Sequence, residues 1–378
     1  MSEDFALGDF LQRWSRDARY NLAASESATL TVASLLDMAE PEDQRRWQML
    51  GLGYADPRGA PWLRTTIAAR YDGLDADDVV CCAGAQEGLA CVMRALLTRD
   101  DHAVIVVPIY QPSEQAVTTI CAATGVALQE KRGVWHLDVD RVATALRPET
   151  RLVLINFPNS PTGATIDPAT LGALVTLCRQ RGLWLVNDEV YRLTRMDQDR
   201  HGPQMADIYE RGVSINAVSK GFGLPGLRVG WVVCRDGCLL AKVLTAKSAL
   251  SACLAAPSEA LAHIALRAAP RIVERNRAIG TANLQRLQRL LNRHPDLFEA
   301  PEPNNTAFAF PRYLGVDGAD YFAMALARDA SVLVLPSGLW RSPLAVVPAD
   351  RLRISLGDCR VGAALEVLED YLSVTGVR

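Results

Sequence analysis

Lys220 stands directly after Ser219 in the stretch SINAVSKGFGLPGLRVGW, and Gly221, Gly223, Gly226 and Gly230 follow it, with Arg228 among them. A lysine amine forms a Schiff base with a carbonyl cofactor, and desolvation or a neighbouring cation makes the neutral amine more available. The planar fork of an arginine matches a phosphate. A lysine and an arginine at this spacing, met alone, read as a solvated loop. Other groups reverse that reading. Asp188 and Tyr191 lie in NDEVY at the end of one apolar run, Tyr110 follows Pro108 at the end of another, and NFPNSPTG, residues 156–163, closes a third. Gly84, Ala85 and Gln86 join a fourth apolar run to a helical pattern. A strand, a glycine turn and a helix N-terminus together bind anions, because free N–H groups and the helix dipole point at the ligand.

The elements that must position these residues alternate. Short apolar runs at 79–82, 102–107, 151–155, 183–186, 213–218 and 229–233 read as strands. Residues 61–67, 89–97, 113–123 and 168–181 read as helices, with Pro61 placed to start the first. Residues 5–50 read mostly as short helices, with polar breaks at 25–27 and at Pro41. The alternation predicts an α/β fold with a large, mostly parallel sheet. Ligands of such sheets bind outside the carboxyl ends of the strands, where the residues named above fall. Beyond residue 233 the pattern turns helical at 239–254 and 258–291. Strands at 307–310, 332–335 and 352–356 and a last helix at 361–372 follow. This mixture predicts a smaller α+β domain. The expected division is a large domain at 45–270 and a small one made of 1–44 and 271–378. Arg353 lies inside the apolar run LRISL. Buried there it needs a partner, either a structural carboxylate or the carboxylate of a ligand.

Composition narrows the function classes. The chain has 378 residues, 49% hydrophobic and 22% charged, with a net charge of −3, which gives no electrostatic case for nucleic acid or an anionic membrane. No apolar run approaches the roughly 18 residues of a membrane span. The acidic N-terminus, MSEDFALGDF, lacks the apolar region of a secretory leader. The nine cysteines are scattered and form no C-x2-C pair, so neither a disulfide framework nor a metal site is expected, and a cytoplasmic setting is.

Taken together and in order, the segments from about residue 51 to 372 resemble the fold-type I pyridoxal-phosphate enzymes of the aminotransferase class I/II family. The resemblance implies pyridoxal 5'-phosphate as cofactor. It implies that Lys220 is the Schiff-base lysine and that Asp188 keeps the pyridine nitrogen protonated. Tyr191 resembles the tyrosine that hydrogen-bonds the ring O3', and Tyr110 the aromatic stacked on the ring. Ala85, Gln86, Ser219 and Arg228 resemble the phosphate-binding set. Tyr54, in GYADPRGAPWLR, resembles the tyrosine that reaches a neighbouring subunit's phosphate, which implies a homodimer. Arg353 resembles the arginine that binds a substrate α-carboxylate.

Three departures stand out. Ser160 precedes Pro161 where the family has asparagine, so its contact to O3' is lost, bridged by water, or taken over by Asn159. Ala217 stands where a phosphate-binding serine is frequent. NLAASESATLT replaces the usual L-x-x-G-x-P signature, in a region that normally lies over the substrate. There Ser25, Glu26 and Ser27 are candidates to line the pocket, Glu26 as the partner of a basic substrate group, against a plain helix-cap role near Thr29. Trp340, Arg341 and Asn305 fall in loops before the last strands and are further candidates.

The activity implied is that of an enzyme acting on an L-α-amino acid through an external aldimine and a quinonoid, as an aminotransferase. The alternative is elimination, replacement or cyclisation of the kind used in specialised natural-product biosynthesis, in a branch near capreomycidine-synthase-like cyclases. A regulatory protein of this fold would add a DNA-binding domain, for which the residues before Gly51 leave no room.

Overall fold

Runs of valine, isoleucine and leucine between residues 79 and 233 fold into one sheet whose strands, one edge strand apart, are buried on both faces. The computed structural model describes residues 6–196, 202–300 and 304–375. The acidic residues 1–5 lie outside the described residues. Helix α1 (Ala6–Trp14) leads to a two-residue strand β1 (Tyr20–Asn21) and to short helices α2 (Val32–Leu36), α3 (Pro41–Gln48) and α4 (Pro61–Ala68). The alternating part follows. It runs β2 (Val79–Cys82), α5 (Ala85–Leu96), β3 (His102–Val107), α6 (Gln111–Thr118), β4 (Ala122–Ala127), the hairpin β5 (Gln129–Lys131) and β6 (Val134–His136), and α7 (Val139–Ala145). It continues with β7 (Thr150–Asn156), α8 (Pro168–Arg181), β8 (Trp184–Asp188), α9 (Met205–Ile208), β9 (Gly212–Ala217) and β10 (Gly230–Val233).

The seven-stranded sheet has the order β2-β10-β9-β8-β7-β3-β4. Strand β10 runs antiparallel to both its neighbours, and the other pairings are parallel. Helices cover both faces, as a parallel sheet requires. Leu89, Val92 and Met93 of α5 and Leu240 and Val243, further along, pack on Ile105, Leu152 and Val232. Val142 of α7 and Leu171 and Leu174 of α8 pack on Val104, Val153 and Leu185. Local signals set the helix ends. Asp167 caps α8 by accepting from the Ala169 and Thr170 amides, and Gly182 at φ +63° ends it.

The remaining chain forms α10 (Gly237–Ser248), α11 (Ala256–Arg267), α12 (Ala269–Arg293), β11 (Phe298–Glu299), β12 (Phe308–Ala309) and β13 (Arg312–Tyr313). Then come α13 (Ala319–Ala330), β14 (Val332–Leu333), β15 (Leu335–Pro336), β16 (Leu352–Ser355) and α14 (Val361–Thr375). Helices α12, α13 and α14 and strand β16 share a second core in which Leu287, Phe322, Ile354 and Leu368 meet. Strand β1 pairs with β14, so the N-terminal segment is stitched to the C-terminal elements.

Several expectations need correction. The helix expected to reach residue 123 ends at Thr118, and Ala122–Ala127 is the edge strand of the sheet. That strand reads AATGVA and is mostly half-exposed, so it carries no apolar run to betray it. Gly125 is required there, because a Cβ would stand 2.7 Å from that of Leu344. The stretch at 258–291 is two helices, divided at Ala268 with Pro270 in the first turn of α12. Pro41 opens α3 rather than breaking a helix. Leu35 of α2 is buried with Ile67, Trp231 and Ile264.

Candidate active site

A cavity of about 260 Å³ opens beyond the carboxyl ends of β7, β8 and β9. Asn156 and Asp188 reach it from the last positions of β7 and β8, and Ala217, Ser219 and Lys220 from the end of β9 and the turn after it. Ala85 and Gln86 at the start of α5, Tyr110 before α6, Tyr191, Arg228 and Arg353 complete the polar wall. These positions are close in space because parallel strands all end at one edge of the sheet.

One end of the cavity is built for an anion. Gly84 is the N-cap of α5, with φ +92° and no side-chain cap, so the first amides of the helix face the cavity end without a side-chain acceptor. Arg228 approaches the same turn, donating from Nη1 to the Pro225 carbonyl at 3.0 Å and from Nη2 to the Ala83 carbonyl at 3.4 Å. A Cβ on residue 84 would collide with the Arg228 guanidinium, so glycine is needed both for the backbone and for the approach.

The opposite charge sits at Asp188. Among the described residues its carboxylate has one hydrogen-bond donor, the Val190 amide at 3.2 Å, while its carbonyl accepts from Asn156 Nδ2 at 2.7 Å. Burial pushes its carboxyl up to about 6, against the pull of the Val190 amide and of the Lys220 charge. Lys220 Nζ donates to Ser25 Oγ at 2.5 Å and lies 5.7 Å from the Tyr191 ring centroid. Tyr191 is buried and packs edge-on to Phe308, with centroids 5.1 Å apart.

Arg353 is 3% exposed. Its guanidinium lies between Trp340 and Phe308, at 5.3 and 5.5 Å from their ring centroids. Nη2 donates to the carbonyls of Ala23 at 2.6 Å and Ala24 at 3.1 Å. Among the described residues Nε has no hydrogen-bond partner, and the Tyr191 hydroxyl and the Glu26 carboxylate are the groups whose charge bears on this arginine. A buried guanidinium left in this state is poised for an anion brought by a ligand.

The sequence matches the aminotransferase class I and II family model over residues 20–363. The chain belongs to the aminotransferase class I and II family. Among its relatives, a probable N-succinyldiaminopimelate aminotransferase of Mycobacterium tuberculosis is 31% identical over 76% of this chain and 75% of that protein. The capreomycidine synthase of Streptomyces vinaceus is 28% identical over 77% of this chain and 73% of its own length. An arginine–pyruvate transaminase of Pseudomonas aeruginosa is 36% identical, but the match spans only about half of each protein, 48% of this chain and 47% of the other. A solved pyridoxal-phosphate-dependent aminotransferase from Streptococcus suis superposes with a TM-score of 0.88 at 24% identity, over 99% of this chain and 98% of that one.

Pyridoxal 5'-phosphate, the cofactor of the family, fits this donor set. The phosphate would meet an uncapped helix start beside Arg228, the aldehyde would meet a lysine amine, and a protonated ring nitrogen would pair with the Asp188 carboxylate.

The candidates named from sequence divide. Lys220, Asp188, Tyr191, Tyr110, Ala85, Gln86, Ser160, Ser219, Arg228 and Arg353 all line the cavity, as does Trp340. Asn159 does not. It is fully buried, with Nδ2 donating to the Pro108 carbonyl and Oδ1 accepting from Thr162, so its amide is committed to the loop and cannot replace the missing asparagine. Glu26 lies behind Ser25, and its Oε2 accepts from the Ser25 amide and hydroxyl at 3.0 and 3.3 Å, outside the cavity wall. The cap in that region is Thr31, on α2, rather than residues 25–27. Arg341 donates to Asp320, and Asn305 is buried with its Oδ1 on the Ala307 amide; neither lines the cavity. Tyr54 is 95% exposed, away from the cavity of its own chain. Sequence reasoning missed Leu7 and Leu11 of α1, Ser113 and Leu335, all of which line it. The amphipathic spacing of Leu7, Phe10 and Leu11 was the available signal, but it does not say which surface the helix covers.

Proposed function

We propose that this chain is an aminotransferase for an L-α-amino acid, with pyridoxal phosphate linked to Lys220. One observation carries the reading: a lysine amine, a half-buried carboxylate and a buried arginine with an unpartnered Nε share one cavity. When bound, the cofactor supplies the electron sink that makes the Cα–H of an amino acid removable. Lys220 would hold the cofactor at rest, and its amine, once free, would serve as the base that accepts the substrate's Cα proton and as the acid that gives it back. Asp188, ionised, would stabilise a protonated ring nitrogen. Tyr191 would supply a hydrogen bond to the ring and Tyr110 an aromatic surface for it. Ala85, Gln86, Ser219 and Arg228 would hold the phosphate, and Ser160 would stand in place of the family's asparagine. Arg353 orients the α-carboxylate through the edge that Ala23 and Ala24 leave open.

The same reading includes a cytoplasmic homodimer and the two-domain division at 45–270. Tyr54, Met49 and Leu52 are exposed apolar neighbours on one short stretch, which supports burial against a second copy. No helix among the described residues is long and apolar enough to cross a membrane.

A second reading, elimination or ring closure in natural-product biosynthesis, is supported by the kinship with capreomycidine synthase and by Ser160. Product identity separates the two. Holoenzyme mixed with single L-amino acids, without a keto acid, is expected to yield one equivalent of 2-oxo acid and of pyridoxamine phosphate. An unsaturated or cyclised amino acid, with the cofactor unchanged, would replace the first reading by the second.

A further inference from the structure

The N-terminal strap at 22–28 threads between Lys220 and Arg353, and its backbone is tied at both ends. The Leu22 carbonyl accepts from the Ser355 amide at 2.7 Å, and the Ser27 amide donates to the Lys220 carbonyl at 3.1 Å. Arg275 Nη1 donates to the Ala28 carbonyl at 3.0 Å. Gly223 and Gly357 face the strap directly, and a Cβ on Gly223 would lie 2.6 Å from the Ala28 carbonyl oxygen. None of these ties uses the side chain of Ser25. That side chain instead points at the lysine: Oγ accepts from Lys220 Nζ at 2.5 Å, and Glu26 Oε2 stands behind it. In the segment LAASES, Ser25 falls at the glycine of the L-x-x-G-x-P pattern, so this chain has added a hydroxyl where that pattern has no side chain.

We propose that Ser25 is a positioning residue for Lys220. Its hydroxyl, braced by the Glu26 carboxylate, holds the lysine amine towards the cavity whenever the amine is not bonded to the cofactor. The physical need is clear from the side chain itself. A lysine ends a flexible four-carbon stem, and once released it must stay aligned with a single C–H bond. A hydroxyl suits the task because it accepts from the amine while donating onward to a carboxylate. Ser25 lines the cavity, and in this role it acts through Lys220. This inference rests on the proposed lysine-linked cofactor.

Ser25→Ala, Ser25→Thr and Glu26→Gln are compared with the wild-type chain in three ways. The first is the rate at which the cofactor-free chain takes up pyridoxal phosphate at Lys220, trapped by borohydride and located by peptide mass. The second is exchange of the substrate Cα–H for deuterium in the holoenzyme, followed by NMR. The third is Tm together with final cofactor occupancy. Ser25→Ala is expected to slow uptake and exchange by about tenfold, the worth of one hydrogen bond to a charged group. Its Tm, occupancy and KM are expected to stay at wild-type values. Ser25→Thr is expected to recover most of the loss, and Glu26→Gln to lie between. Rates for Ser25→Ala within about twofold of wild type would overturn the proposal. So would a loss that Thr does not recover and that tracks a lower Tm, which would mark Ser25 as structural. Should the wild type exchange no amino acid at all, the proposed function fails. The uptake rates then decide the role of Ser25 alone, and equal rates would overturn it.

Discussion

At the scale of single residues, which side chains meet in the cavity was legible, because they stand at the ends of apolar runs. Lys220, Asp188, Tyr191 and Arg228 needed only that pattern, since a parallel sheet brings strand ends together whatever the details of packing. Contacts that depend on how distant segments fold over the sheet were not legible. Asn159 turned inward to serve its own loop, and Ser25 meets Lys220 although 195 positions separate them in the sequence. Arg353 leads to a first prediction. Its fork is already half used by Ala23 and Ala24, so a point charge cannot replace it. Arg353→Lys is expected to raise KM for the amino acid by about ten- to a hundredfold, the value of a charged hydrogen bond, with cofactor affinity unchanged. Steady-state kinetics with equilibrium cofactor titration checks it.

Asp188 gives a prediction in pH. Its folded-state carboxyl is raised by burial to about 6, so in the cofactor-free chain its contribution to stability is full below the ordinary carboxylate range and is lost as pH rises through about 6. A protonated ring nitrogen reverses that loss, because it pairs with the ionised form. The rise in Tm on adding pyridoxal phosphate is therefore expected to grow from pH 5 to pH 7.5. In Asp188→Asn the rise is expected to be small and nearly flat over the same window. Glu189, pushed up to about 7 mainly by burial, titrates nearby but makes its hydrogen bonds to Met205, Ser214 and Asn187 and is common to both states. Thermal melts with and without cofactor across that window test the point.

At the scale of elements, the joint between β2 and α5 carries the anion end. Gly84→Ala places a Cβ against Arg228 at a left-handed backbone angle. The variant is expected to bind pyridoxal phosphate about tenfold or more weakly, through a displaced arginine and a reshaped helix start, at a cost to the cofactor-free fold of about 1 kcal/mol or more. Cofactor titration and thermal melting read the two effects separately. Strand and helix positions were legible where apolar runs or proline and glycine punctuation marked them. Helix α8, with Asp167 before Pro168 and Gly182 after Arg181, matches its expected span. Strand β4 was hidden because an edge strand of small residues has neither alternation nor bulk, and the β5–β6 hairpin was too short to announce itself.

At the scale of the whole molecule, α1 and the strap make the N-terminus part of the site. Leu7 and Phe10 are buried with Leu333, Leu335 and Trp340, so the first helix closes the cavity against C-terminal elements. The exposed patch around Tyr54 is not part of the cavity lining and is expected to meet a second copy. Sedimentation is expected to give a dimer for the wild type. Tyr54→Ala is expected to remain dimeric with cofactor affinity reduced about tenfold, the loss of one charge-assisted hydrogen bond. A monomeric wild type with full cofactor affinity would remove Tyr54 from the site.

The claim on which everything else depends is that the cavity holds pyridoxal phosphate on Lys220. Borohydride reduction of the purified, cofactor-loaded chain, followed by peptide mass mapping, tests it most directly. The expected result is one phosphopyridoxyl group per chain, on the peptide containing Lys220, and none in Lys220→Ala. A chain that traps no cofactor, or one that traps it equally in Lys220→Ala, would contradict the assignment of this cavity.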